Sequence, residues 1–264
     1  MRFEYIDNGQ DFDFGNTSIN YAKFRDIYPK SLYDNLKKEG INSKKNSRLL
    51  DIGTGTGVLP RGLLPFNGII TGIDISNDQI IQAKRLSEKE DNLSFMVATA
   101  EQLPFDDMHF DNVTACQCYQ YFDKEKAVPE IYRVLKPNGK FYKIFMTWIP
   151  NTSEYLMEME DLILKYNPNW TGFGYTPNKS YTPDFNLIKL FTLQNRMTYN
   201  ENLKFDIETW IGRVSTCRGL GACLPSEVVE KFNNEHRNII AKYYKSDYIT
   251  VCHEIEIECY KKVL

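Results

Sequence analysis

Apolar residues recur at helical spacing early in the chain. Tyr21, Phe24, Ile27, Tyr28, Leu32 and Leu36 share one face behind the polar starts Asn16 and Thr17. This predicts an amphipathic helix over 17–38, kinked or split at Pro29, which lacks an amide hydrogen. A polar stretch, Asn42-Ser-Lys-Lys-Asn-Ser47, then leads into Arg48-Leu-Leu-Asp-Ile52, a short strand that runs into glycines. From there strand and helix patterns alternate: strands over 69–74, 93–98, 112–116 and 140–145, helices over 77–90 and 124–135. The turn Lys136-Pro-Asn-Gly139 ends the second of these helices. Such alternation predicts an α/β fold whose parallel sheet is covered by helices on both faces.

Past residue 146 the rhythm loosens. Pro150, Pro168, Pro177 and Pro183 punctuate a region rich in Tyr and Asn that reads as an insertion shaping a pocket. A strand follows near 191–199, helices near 207–214 and 226–244, and then a run that alternates strictly. In that run Ile249, Val251, His253, Ile255, Ile257 and Cys259 face one way, and Thr250, Cys252, Glu254, Glu256 and Glu258 the other. It is a half-exposed strand. Two late strands added to a five-strand parallel core predict seven strands, mostly parallel, the last pairing antiparallel.

Composition narrows the function classes. A chain of 264 residues with 42% hydrophobic and 25% charged residues buries a full core, which excludes wholesale disorder. The net charge of −3 gives no basic footprint, so nucleic acid is not an expected partner. The opening residues Met1-Arg-Phe-Glu-Tyr-Ile-Asp-Asn8 lack the apolar run of a signal peptide, and no stretch is long enough to cross a membrane, so a cytoplasmic protein is expected. The six cysteines, at 116, 118, 217, 223, 252 and 259, have no zinc-type spacing and read as free thiols, with no metal expected. The 17 Tyr, 16 Phe and 3 Trp suit an apolar ligand cavity as well as an ordinary core.

The chemistry starts at Asp51-Ile-Gly-Thr-Gly-Thr-Gly57. A strand that ends in glycines and leads into a helix makes a sharp turn where backbone approaches a ligand without Cβ interference. The dinucleotide fingerprint would continue with glycine at 58, which is Val58, and no Gly-Lys-Ser/Thr follows, so a nucleoside triphosphate loop is excluded. Asp74 ends the next strand, where a carboxylate accepts from both hydroxyls of a ribose; in the plainer reading it is a charge favouring the start of the following helix.

Four segments in order then resemble the class I S-adenosylmethionine-dependent methyltransferases, of the type 11-like group. They are Leu49-Leu-Asp-Ile-Gly-Thr-Gly-Thr-Gly57, Gly72-Ile-Asp-Ile-Ser76, Ala100-Glu-Gln-Leu-Pro-Phe105 and Glu130-Ile-Tyr-Arg-Val-Leu-Lys-Pro-Asn-Gly-Lys140. Phe110-Asp-Asn-Val-Thr-Ala-Cys-Gln117 is similar to the family's fourth strand and its exit into the active site. Tyr21-Ala-Lys-Phe-Arg-Asp-Ile-Tyr-Pro29 and Trp210-Ile-Gly-Arg-Val-Ser-Thr-Cys-Arg218 resemble segments of the trans-aconitate methyltransferase-like small-molecule subgroup. The resemblance implies a Rossmann-like fold in one domain over 1–264: a helical cover over 1–44, a donor-binding core over 45–146, a substrate-side insertion over 147–190, and strands and helices over 191–264 that complete the sheet.

It further implies S-adenosyl-L-methionine as cofactor, S-adenosyl-L-homocysteine as product, and a small molecule as acceptor. Gly53, Thr54 and Gly55 would line the donor's methionine part, Asp74 its ribose, Ile75 the adenine face, and Thr99, Ala100 and Glu101 the adenine edge, with Asp51 and Gln117 also among the donor-binding residues. Thr99 departs from the family's usual Asp at that place, and Pro60 and Pro65 predict a short or irregular helix after the glycines. Tyr21 and Arg25 would touch the methionine end, the plainer reading being a surface helix. Tyr119, Gln120, Tyr121, Trp148, Arg213 and Arg218 are candidates for the substrate pocket, the two arginines for anchoring an anionic group, unless they are solvated surface residues.

Methyl transfer from a sulfonium needs alignment more than acid–base chemistry. Gln120 stands where many relatives carry His and cannot remove a proton near neutral pH, so no catalytic base is assigned, which leaves a carboxylate or another pre-ionised nucleophile, or a base from elsewhere in the chain. His109, His236 and His253 read as structural. Two other readings compete: a noncatalytic S-adenosylmethionine-binding protein, and an NAD(P)-dependent oxidoreductase. The acceptor, the methylated atom type and the oligomeric state are not legible.

Overall fold

The computed structural model describes residues 1–25, 28–66, 68–172 and 181–263. The predicted first helix is two, α1 (Ser18–Phe24) and α2 (Lys30–Lys38), divided at Pro29, which takes the extended N-cap position of α2. Ile27, assigned to its apolar face, and Pro177 of the insertion lie outside the described residues. Then come β1 (Arg48–Ile52), α3 (Val58–Leu63), β2 (Ile69–Asp74), α4 (Asn77–Leu86), β3 (Leu93–Val97), β4 (Phe110–Cys116), α5 (Lys124–Val134) and β5 (Leu135–Trp148). The remainder is α6 (Glu154–Tyr166), α7 (Phe185–Ile188), β6 (Phe191–Asp206), α8 (Ile207–Ser215), α9 (Ser226–Tyr243) and β7 (Tyr248–Lys262).

The seven strands form one sheet in the order β3-β2-β1-β4-β5-β7-β6. The first five pair in parallel, while β5–β7 and β7–β6 are antiparallel. The last strand therefore inserts between β5 and β6. Helix starts follow their caps: Ser76 accepts from the Gln79 amide, Ser153 from Leu156, Asp184 from Asn186 and Asp206 from Thr209.

One local expectation is corrected. Lys136–Gly139 is not a loop but the irregular start of β5, with Asn138 at φ +62° and a register shift between Phe110 and Asn112 on the neighbouring strand. The Lys262 ammonium donates to the carbonyls of Tyr132 and Leu135 at 2.7 and 2.6 Å, which satisfies the end of α5 without a separate turn. As Pro60 and Pro65 implied, α3 has six residues and passes into a 3-10 turn over Leu64–Phe66.

Packing divides the chain into two compact units. Unit 1 comprises Met1–Asp26, Thr147–Asn178 and Asn200–Glu254; unit 2 comprises Ile27–Met146, Lys179–Tyr199 and Ile255–Leu264. Each has its own core, from Leu50, Ile52, Val113, Ile131 and Phe141 in unit 2 and from Trp148, Tyr155, Trp210, Phe232 and Val251 in unit 1. Among the described residues no helix is long and apolar enough to cross a membrane, and no group of three His, Cys, Asp or Glu side chains could hold a metal ion. The six cysteines are free.

Candidate functional site

In unit 2 the strand order reverses at β1, whose neighbours are β2 and β4. In open α/β sheets the crevice at the carboxyl ends of the strands flanking such a reversal is where ligands bind. The residues leaving those three ends are Gly53 after β1, Asp74 at the end of β2 and Gln117 after β4. The sequence had named all three.

The glycine loop depends on its glycines. Gly53, Gly55 and Gly57 have φ of +65°, +54° and +79°, a region that a side chain disfavours. A Cβ on Gly53 would stand 2.6 Å from Cβ of Cys118, whose thiol donates to the Ile52 carbonyl at 3.0 Å. Cys118 is thus the floor of the turn, and burial pushes its thiol and that of Cys116 well above the ordinary range, which removes both as nucleophiles.

The loop is tied to β2 by two contacts. The Thr54 amide donates to the Ile73 carbonyl at 2.8 Å, and the Gly55 amide to Asp74 Oδ2 at 2.8 Å. Oδ1 of Asp74 accepts from the Ser76 amide at 2.8 Å, so the carboxylate is held at both oxygens. Beside it the apolar side chain of Ile75 is 56% exposed. Asp51, fully buried, faces Thr114 across the β1–β4 register and accepts from its hydroxyl at 2.6 Å. Burial pushes the Asp51 carboxyl up to about 7, with the Thr114 hydroxyl pulling it down and the Asp74 charge adding to the rise.

Thr99 bridges to Gln102 after β3, placing Ala100, buried, and Glu101 in a tight turn. Glu101 Oε1 accepts from the Asp123 amide at 3.0 Å and so fixes the chain before α5. Gln117, at φ +65°, clips β4 to β5: its amide nitrogen donates to the Met146 carbonyl and its oxygen accepts from the Met146 amide at 3.1 Å. Gln120 donates to the Gln117 carbonyl at 2.9 Å within the 3-10 turn Tyr119–Tyr121. Tyr121 is half-buried in the same turn.

Tyr119 packs in the core of unit 2 against Phe122 and Phe141. Trp148 and Arg218 both belong to unit 1. Trp148 is buried, and its indole nitrogen donates to Glu160 at 2.6 Å, the second Glu160 oxygen being taken by Trp170 at 2.8 Å. Arg218 is no surface residue: at 4% exposure it pairs with buried Asp7, Nε to Oδ2 at 2.5 Å and Nη2 to Oδ1 at 3.0 Å, and donates to the Gly172 carbonyl at 2.7 Å.

Tyr21, Arg25 and Arg213 also belong to unit 1, so the structure does not gather them into the unit of the glycine loop. Arg25 packs over the Tyr21 ring and donates to Thr216 at 2.9 Å and to the Arg213 carbonyl at 3.1 Å. Arg213 is buried with its guanidinium 5.8 Å from the Phe205 ring. His236, expected on a polar helix, is fully buried and pairs with the Tyr155 hydroxyl at 2.6 Å. The residues that sequence reading missed, Thr114, Cys118 and Glu160, act through strand register and distant packing, for which the chain carries no local signal.

A family model described as a methyltransferase domain matches residues 50–143. An uncharacterized methyltransferase of Schizosaccharomyces pombe is 28% identical over 216 residues, 74% of this chain and 84% of that protein. A ubiquinone/menaquinone biosynthesis C-methyltransferase of Rickettsia bellii is 36% identical over 140 residues, 48% of this chain and little more than half, 56%, of that protein's length. The solved structure of a putative type II methyltransferase from Anaeromyxobacter dehalogenans shares the fold, with a TM-score of 0.58 at 16% identity over 89% of this chain and 96% of that one.

Proposed function

The chain carries a class I S-adenosylmethionine-dependent methyltransferase domain, and from this premise we propose that it methylates a small molecule bearing an anionic group, a carboxylate being the favoured acceptor. The observation that carries the reading is the pairing of the Gly55 amide with Asp74, which presents a fixed carboxylate beside an exposed apolar Ile75 at the reversal of strand order. These residues fit an adenosine: two acceptor oxygens for ribose hydroxyls, an apolar face for the base, and Thr99, Ala100 and Glu101 for its edge. Gly53 and Gly55, which carry no Cβ and take positive φ, would let the backbone of the loop approach the methionine part.

S-adenosylmethionine supplies, when bound, a methyl group on a sulfonium that an electron pair displaces in line, leaving the neutral thioether. The protein's share is to hold, to align and to exclude water. An ionised carboxylate acceptor needs no proton removed, which suits a site where Gln120 is spent on the Gln117 carbonyl and both nearby thiols are buried and protonated. The methyltransferase match leaves no support for the nicotinamide alternative. A crystal structure with S-adenosylhomocysteine tests the reading: the ribose is expected on Asp74 and the homocysteine part on Gly53–Gly55, and a ligand that avoids the glycine loop overturns it.

A further inference from the structure

The glycine loop leaves the carboxyl end of β1, and the opposite end of that strand in unit 2 has a different character. Residues 37–48, which lead from the end of α2 into β1, hold five cations, Lys37, Lys38, Lys44, Lys45 and Arg48, against one acid, Glu39, in a chain whose net charge is −3. All five cations are exposed. Their segment is built into the fold. Asn42 and Asn46 take left-handed φ of +46° and +61°, and the Ser47 amide donates to the Lys44 carbonyl at 3.1 Å while its hydroxyl donates to Asn42 Oδ1 at 3.3 Å. Lys44 and Lys45 thus stand in a closed turn. The Ile69 amide donates to the Ser47 carbonyl at 2.9 Å, which holds that turn against the start of β2. Lys37 Nζ lies 5.6 Å from the Phe66 ring, and Lys38 Nζ donates to Asn35 at 3.4 Å. The Arg48 guanidinium reaches the His109 ring, 3.2 Å from Nε2, just before β4.

The same surface is also apolar. Ile69, level with Arg48 on the neighbouring strand, is 42% exposed, and Met108, next to His109, is 54% exposed. Of the acids around it, Glu39 accepts from Asn195, Asp107 from Arg133 and Asp111 from Lys136, while Asp106 is exposed at the margin. Duplex DNA would answer the charge but offers bulky apolar side chains nothing to enter. An anionic bilayer takes both, its headgroups meeting the cations and its acyl boundary the apolar tips. We propose that the amino end of the β1–β2 pair is a docking surface for an anionic phospholipid bilayer, with Lys44 and Lys45 at its centre and Ile69 and Met108 as the inserted groups. The glycine loop, at the other end of β1, is left out of the contact, so the docking does not depend on what that loop binds.

Sedimentation of the full chain with large vesicles tests this. Vesicles of phosphatidylcholine with about one third phosphatidylglycerol are expected to bind it at least tenfold more tightly than phosphatidylcholine alone at about 0.1 M sodium chloride, and to release it at about 1 M, where the screening length falls to about 3 Å. Lys44→Glu with Lys45→Glu weakens binding to the anionic vesicles at least tenfold. Lys126→Glu with Lys231→Glu, the same change of charge outside the surface, weakens it less than threefold. Ile69→Ser with Met108→Ser weakens it at least threefold and leaves its salt dependence unchanged. All six positions are exposed, and an unchanged thermal midpoint reports that each variant is folded. Amide hydrogen exchange of the wild type gives the same answer without a variant: residues 42–48 slow with anionic vesicles and not with phosphatidylcholine. Equal binding to both vesicle types, no binding to either, no slowing over 42–48, or binding unaffected by Lys44→Glu with Lys45→Glu overturns the docking surface. A DNA duplex bound more tightly than the anionic vesicles, or binding unaffected by Ile69→Ser with Met108→Ser, overturns its assignment to lipid.

Discussion

The Gly55 amide donates to the Asp74 carboxylate across 2.8 Å, joining the loop after β1 to the end of β2. Oδ1 of the same carboxylate takes the Ser76 amide, so one side chain sets both the shape of the glycine turn and the start of α4. Asp74→Asn keeps a single acceptor oxygen and no charge. A hydrogen bond to a charged group contributes about 1.5–3 kcal/mol, so S-adenosylhomocysteine affinity is expected to fall by about ten- to a hundredfold. Titration calorimetry measures it; a loss under threefold would show that Asp74 does not hold the ligand.

Asp51 gives a pH dependence of known sign. Its carboxyl is pushed up to about 7 in the folded chain from an ordinary 3.8, so folding takes up a proton there. The favourable contribution is complete below 3.8 and is lost as pH rises through about 7. Asp51→Asn removes this dependence. The stability of that variant relative to wild type is expected to grow by about 2–3 kcal/mol from pH 5 to pH 8, at about 1.4 kcal/mol per pKa unit. Urea unfolding at the two pH values reads it, and a constant difference would mean that Asp51 is ionised throughout.

His236 runs the other way. Burial, with Arg237 adding, lowers its pKa to about 3 from an ordinary 6.5, so the stability it confers is complete above 6.5 and falls as pH drops towards 3. Each such histidine costs about 2 kcal/mol by pH 5. Replacing His236 by Gln, which can still pair with Tyr155, should reduce the loss between pH 7.5 and pH 5 by about that amount in urea titrations. An unchanged loss would place the acid sensitivity elsewhere.

Arg218 is expected to matter for folding and not for ligand. Arg218→Met leaves Asp7 buried without its cation, which costs about 3–5 kcal/mol by comparison with broken buried pairs. The double variant with Asp7→Asn should recover part of this. Thermal denaturation checks both, and a single variant as stable as wild type would restore Arg218 as a candidate anion anchor.

The donor side was legible because its signals are local. The run Ile69–Asp74 is a strand bounded as predicted, since alternation and its terminal carboxylate are written in consecutive residues. The split at Pro29 and the short α3 likewise follow from single prolines. Other features depend on partners far away in the chain. Cys118 under Gly53, Thr114 opposite Asp51 and Asp7 against Arg218 are set by register and packing. Arg218 was named from the resemblance of its segment and Trp148 from its place after a strand, and neither ground could show that Asp7 and Glu160 pair with them. The seven-strand count was readable, but the insertion of β7 between β5 and β6 was not, because alternation marks a strand and never its neighbour.

The central claim is methyl transfer, and mass spectrometry of the reaction tests it most directly. The full chain is incubated with S-adenosylmethionine carrying a deuterated methyl group and a panel of small carboxylic acids, hydroxy acids included. The account predicts S-adenosylhomocysteine in equal amount to an acid gaining the labelled methyl, with both products lost in Asp74→Ala. S-adenosylmethionine that binds but transfers its methyl to no member of the panel would contradict it and favour a noncatalytic binding protein.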